Sequence, residues 1–155
     1  MVRRSYRAKN RQKKLVRELA YPFDAAPLHN RAAEALGQDD QLWQLLEAWA
    51  EAEQALEVRD NAMGYTTDGS RCGDLDDAAS TINEVVRDRA LEVVADACVE
   101  VIEHGDEWAA DGHWDEATIA DAVHEAREWL QTNHEVAERV GSLEPFRRDL
   151  EEGEC

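Results

Sequence analysis

Residues 75–105 read LDDAASTINEVVRDRALEVVADACVEVIEHG. Leu75, Ala79, Ile82, Val86, Ala90, Val93, Ala97 and Val101 recur at steps of three and four, with Ile102 beside the last. That spacing lines up side chains on one face of an α-helix, whereas a strand would need alternation. The stretch therefore predicts a long amphipathic helix, with Asp74 or Asp76 as its N-cap and Gly105 as its stop.

The same period extends on both sides. Upstream, DQLWQLLEAWAEAEQALEVRDNAMG (40–64) places Leu42, Leu45, Leu46, Trp49, Ala52, Leu56 and Met63 on one face, with Asp39 or Asp40 to cap it and Gly64 to end it. Downstream, WDEATIADAVHEAREWLQTNHEVAERVG (114–141) turns Ile119, Val123, Ala126, Trp129, Leu130, Val136 and Val140 inward and stops at Gly141. Prolines near a helix start predict shorter helices at Pro27–Leu36 and Pro145–Leu150. GYTTDGSRCGD (64–74) reads as a loop, and DEWAADGHW (106–114) as a single turn. With no alternating pattern and no internal repeat, the expectation is an all-α fold: a bundle of three long amphipathic helices plus short helices and a basic N-terminal arm. The division is a basic arm over 1–20 and an acidic helical domain over 21–155.

Charge draws that division. Arg3, Arg4, Arg7, Lys9, Arg11, Lys13, Lys14 and Arg17 fall within the first 17 residues and no acid accompanies them, so this segment is +8. The remainder holds the other 9 of 17 basic residues and all 35 acids, which makes it −26 within a total of −18. Lys9, Lys13 and Lys14 are the only lysines, and 24 alanines stand against three isoleucines. GC-rich coding accounts for Arg in place of Lys but not for a twofold excess of acids, which points to a halophilic origin. Such a body repels itself in dilute buffer, and salt relieves the repulsion as the screening length shrinks. The arm has sparse apolar residues (Tyr6, Leu15, Val16, Leu19), is ended by Pro22, and alone in water should be largely disordered. Removing residues 1–17 is expected to leave the bundle folded and to weaken assembly.

The setting reads as intracellular. Cys72, Cys98 and Cys155 form no CxxC and no regular framework, so they read as reduced thiols. The basic segment is not followed by the apolar stretch of a signal peptide, and no apolar run approaches a membrane span.

Chemistry-bearing patterns are weak. His104, His113, His124 and His134 sit among carboxylates, with Asp121 and Glu128 three and four residues from His124. Yet 35 acids in 155 residues supply such pairs by chance, and the ExxH spacing of a di-iron bundle is absent. Glu100–Glu103 and Glu125–Glu128 are similar, in spacing alone, to the ExxE pairs of Mg-dependent nucleotide pyrophosphatases on helical bundles; no Lys or Arg set for a triphosphate stands nearby. Ser70, Cys72 and Asp74 share a loop without a nucleophile elbow, and Asp68-Gly69-Ser70 fits neither an EF-hand nor a phosphate-cradling loop. No catalytic residue, metal or cofactor is assigned. Of five tryptophans, Trp49 and Trp129 fit buried faces. Trp43 lies off its stripe, and Trp108 and Trp114 flank a turn, which makes these three candidate interface anchors.

These features point to a non-enzymatic component of a larger assembly, whose arm (Arg3, Arg4, Arg7, Lys9, Arg11, Lys13, Lys14, Arg17) docks on a neighbouring subunit or on nucleic acid. By analogy of architecture, small helical proteins with charged arms occur in virion heads, necks and head–tail adaptors, here of a halophilic or GC-rich host's virus. The alternatives are an acidic DNA mimic that blocks a DNA-binding enzyme, which the cationic arm does not suit, and a small nucleic-acid-binding regulator, for which the body offers only scattered arginines.

Overall fold

The computed structural model describes residues 2–63 and 69–139, with side chains described over 6–58 and 78–137. Among the described residues six helices follow in order: α1 (Val2–Leu19), α2 (Ala26–Gln38), α3 (Asp40–Met63), α4 (Gly69–Ala110), α5 (Glu116–Thr132) and α6 (His134–Arg139). No strand occurs among the described residues, and the fold is all-α. The short helix expected at Pro145–Leu150, the stops at Gly64 and Gly141, and Cys155 lie outside the described residues.

The axis of the molecule is α4, whose 42 residues span about 63 Å at the helical rise. The other helices pack along it, except that α1 lies chiefly against α3 and α2. The burial of α4 changes along its length. Among residues 79–90 only Ala79, Val86 and Ala90 are buried, which is the single face the spacing predicts. Over 93–101, Val93, Val94, Ala95, Ala97, Cys98, Val99 and Val101 are all buried, so this stretch is enclosed on nearly every side. A helix apolar on most sides belongs in an interior, and over its whole length α4 meets α2, α3, α5 and α6, while Asp96 keeps one side of this stretch open to solvent.

Three expected boundaries move. Residues 69–74, read as loop, form the first turns of α4, so Asp74 and Asp76 stand inside the helix rather than at its start. At the other end α4 runs through Gly105 to Ala110. Gly105 is buried where α5 crosses, and a Cβ there would stand 2.9 Å from the Ile119 side chain; it is a crossing point, not a stop. The glycine that ends α4 is Gly112, with φ +81°. Its N–H donates to the Ala109 carbonyl (3.1 Å) and that of His113 to the Trp108 carbonyl (3.2 Å), the paired bonds of a left-handed C-terminal cap. Finally, the helix expected over 114–141 is two helices. Asn133 separates α5 from α6: its backbone N–H and its side-chain amide both donate to the Trp129 carbonyl, at 2.9 Å each.

Caps and loops tie the short helices to the long ones. Asp39 is the single residue between α2 and α3; its carboxylate accepts from the Leu42 N–H at 2.8 Å, as an N-cap should. No side chain caps α2 at Ala25. Glu125 of α5 reaches across instead, accepting from the N–H groups of Asp24 (2.9 Å) and Ala25 (3.0 Å) and holding a negative charge at the start of α2. In α5, Asp115 accepts from the Thr118 N–H at 2.7 Å, and hydrogen bonds from the Thr118 side chain and then its backbone keep the exposed Asp115 carboxyl below the usual carboxylate range.

Candidate interaction surface on the first helix

The basic segment, opposite to the body in charge, is packed into the same core. Residues 2–19 are helical, and Ala8, Leu15 and Ala20 are fully buried in the same core as Leu28, Leu36, Leu42, Leu46 and Leu130. Removing residues 1–17, expected from sequence to spare the bundle, would uncover the faces of α2 and α3 that this helix covers.

Polar contacts fasten the inward side. Arg7 forms an ion pair with Glu57 of α3. Arg11 donates to Asn83 Oδ1 of α4 at 3.0 Å, while its guanidinium lies 5.8 Å from the centre of the Trp49 ring on α3. A stacked Arg of this kind contributes about 0.5–1 kcal/mol. Arg11 Nε is buried without a hydrogen-bond partner, which offsets part of that gain. Gln12 donates to the carbonyls of Leu36 (3.2 Å) and Gly37 (3.3 Å), satisfying the C-terminal end of α2. Because Arg7 meets Glu57 and Arg11 meets Trp49, α1 and α3 run antiparallel.

The outward side carries four further cations. Lys9, Lys13, Lys14 and Arg17 are exposed, and Tyr6, 66 % exposed, shares their side of the helix. Lys14 lies 3.9 Å from Glu18, a surface pair of little weight. Arg3 and Arg4 stand in the first turn of α1, where side chains lie outside the described ones. Thus six of the eight cations expected to form one contact set divide: Arg7 and Arg11 are directed at the chain's own helices, and Lys9, Lys13, Lys14 and Arg17 face solvent. Glu57 and Asn83, the partners that make this division, carried no sequence signal, because nothing local to them reveals that α1 lies alongside.

The tryptophans are placed more modestly. Trp43 on α3 and Trp108 on α4 are partly buried and pack against the core, as do Trp49 and Trp129. Trp114 is half-buried in the turn between α4 and α5. Among the described residues the large aromatics exposed by more than half are Tyr6 and Tyr21, the latter stacked on His29 with ring centres 5.1 Å apart.

A second polar cluster joins α2, α3 and α4. Arg89 grips Asp39 with two bonds (2.9 and 2.7 Å) and lies 3.5 Å from Glu92, and Arg31 reaches Glu100 at 2.7 Å. The Arg89 hydrogen bond holds the Asp39 carboxyl below the usual carboxylate range against the opposing effect of burial, with the Leu42 N–H assisting. The Arg89 guanidinium is shifted upward by the same bond. Each charge here answers another within the chain, which makes the cluster a clamp on the helix junction.

Elsewhere the chemistry is sparse. Among the described residues no polar or charged residue is buried, and no three His, Cys, Asp or Glu side chains converge as metal ligands. His104 lies 3.5 Å from Glu107 and 3.9 Å from Glu103, and His124 lies 3.1 Å from Glu128, all at the surface. Cys98 is buried in the core, where desolvation pushes its thiol far up and keeps it protonated, hence unreactive. A concavity of about 620 Å³ is an open groove where α5 meets the end of α4, floored by Ala109, Ile119, Ala120 and Val123. No helix among the described residues is long and apolar enough to cross a membrane. Comparisons with protein-family models, with curated proteins and with solved structures found no match to this chain.

Proposed function

We propose that this chain is a non-enzymatic structural component of a larger assembly, in which the acidic helical body packs beside other subunits and the outward face of α1 docks on an acidic partner. The observation that carries this reading is the division of α1. Its apolar side and two arginines are committed to the chain's own bundle, so Lys9, Lys13, Lys14 and Arg17 are held on a rigid helix and presented outward from an otherwise acidic molecule. A solvated tail would need no such mounting. Pre-ordering the contact face lowers the entropic cost of association, since the helix need not fold as it binds. The setting that suits it best remains a virion head, neck or head–tail adaptor of a halophilic or GC-rich host's virus, where multiple copies act together.

Size-exclusion chromatography with light scattering, in low and in multimolar salt, tests the reading. A discrete oligomer of many copies that persists in high salt is the expected result. A monomer under both conditions overturns it.

A further inference from the structure

The outward face of α1 differs from the rest of the chain in the kind of cation it carries. Lys9, Lys13 and Lys14 are the chain's only lysines, and all three are exposed on this helix. Among the described residues the cations that grip carboxylates elsewhere in the chain are arginines: Arg7 on Glu57, Arg31 on Glu100, Arg89 on Asp39. Both cation types bind phosphate, the guanidinium as a fixed fork and the ammonium as a compact, hydrated point charge on a flexible stem that approaches from many directions. Lys9, Lys13, Lys14 and Arg17 together make an exposed cationic face on an otherwise acidic chain, complementary in charge to a polyanion.

We propose that the outward face of α1 binds the phosphate backbone of duplex nucleic acid without regard to sequence. This rests on the reading of α1 as a docking helix and names its partner. Lys9, Lys13 and Arg17 follow one another at intervals of four residues and so form a ladder of about 12 Å along the helix, with Lys14 beside it. A duplex presents about seven phosphate charges over the same length, so the ladder meets phosphates in any register. Tyr6 shares the face, and tyrosine hydroxyls commonly donate to phosphate oxygens. One such face carries few charges and binds weakly in salt; several copies held in an assembly act together, and their joint affinity far exceeds that of one.

The test uses the full chain, a fluorescently labelled duplex of about 30 base pairs in two unrelated sequences, and anisotropy titrations between roughly 50 and 200 mM salt. Four phosphate contacts per chain predict a logarithmic salt slope near −4, that is roughly a 100-fold loss of affinity over that range, the same for both sequences. The variant K9Q/K13Q/K14Q, whose exposed substitutions should leave the far-ultraviolet circular dichroism and the melting temperature unchanged, is expected to flatten the slope to about −1. Unchanged duplex binding by the triple variant overturns the proposal, and so does a wild-type chain that fails to bind duplex. Light scattering on the same samples separates the two readings. If wild type assembles and the triple variant does not, without duplex binding, the face meets carboxylates of a second copy and only the nucleic-acid proposal falls. If wild type is monomeric at every salt concentration, the assembly reading falls with it.

Discussion

The middle of α4 and the whole of α1 are helices of the same bundle held by opposite means. Residues 93–101 of α4 bury Val93, Val94, Ala95, Ala97, Cys98, Val99 and Val101 on nearly all sides. Among the described side chains of α1, Ala8 and Leu15 are the fully buried ones, and much of its attachment is polar: Arg7 to Glu57, Arg11 to Asn83, Gln12 to the end of α2. Burial is non-directional and strong, each fully buried aliphatic side chain contributing about 1.5–3 kcal/mol. Exchanged hydrogen bonds contribute about 1 kcal/mol each and depend on geometry. The stretch of α4 thus anchors the fold, and α1 is a helix laid onto it, placed accurately but held less firmly. That suits an element whose other face is for contact.

Substitutions that attack each mode of attachment sharpen the contrast. The largest effect is expected for Val94→Asp, which places an unpaired carboxylate in the enclosed stretch and should cost about 4 kcal/mol or more, enough to abolish a cooperative thermal transition. Leu15→Ala, at the most buried point of α1, is expected to cost about 2–5 kcal/mol in denaturant unfolding. Hydrogen exchange in that variant should rise first in α1 while 93–101 stays protected; equal loss in both regions would break the contrast.

Asp39→Ala comes next, removing an N-cap and the partner of Arg89 at once, at about 1–3 kcal/mol near neutral pH. Its pH dependence has a definite sign. The Asp39 carboxyl is more acidic folded than unfolded, so its contribution is present above the unfolded value of about 3.9 and is lost as pH falls through the lower folded value. The difference in melting temperature between wild type and variant should therefore shrink as the buffer is taken from pH 7 to pH 3. The smallest effects belong to Gly105 inside α4 and Gly112 just past its end. Gly112→Ala forces a left-handed residue to carry a Cβ and should cost about 1 kcal/mol. At Gly105, the gain in helix propensity, about 1 kcal/mol, competes with overpacking against Ile119 of about 1–3 kcal/mol, so Gly105→Ala is expected to be mildly destabilising in thermal melts.

Much of the fold was legible in the sequence because helical periodicity is local. The spacing that begins at Ala79 and the cap at Asp39 concern residues within a turn or two of each other, and both appear as read. The proline at the start of α2 likewise marks the helix it was expected to mark. The candidate surface was legible as composition: eight cations without an acid, and the chain's only lysines among them. How those cations divide was not, because Arg7, Lys9 and Arg11 read alike until Glu57, Asn83 and Trp49 arrive from chain positions far away.

The two glycines near the end of α4 mark the boundary between the two kinds of information. Both Gly105 and Gly112 follow a helical pattern and either could end it, since conformational freedom is a property of glycine wherever it stands. Only the crossing of α5 at Ile119 makes Gly105 a point of close approach and leaves the left-handed turn to Gly112. By itself the sequence determined that this protein is helical, where most of its helices run, and that its positive charge is gathered at one end of the chain. The tertiary structure decided which side of each helix is enclosed and which cations face outward. Those depend on what lies across the interface, and local spacing carries no record of a neighbour that approaches from elsewhere in the chain.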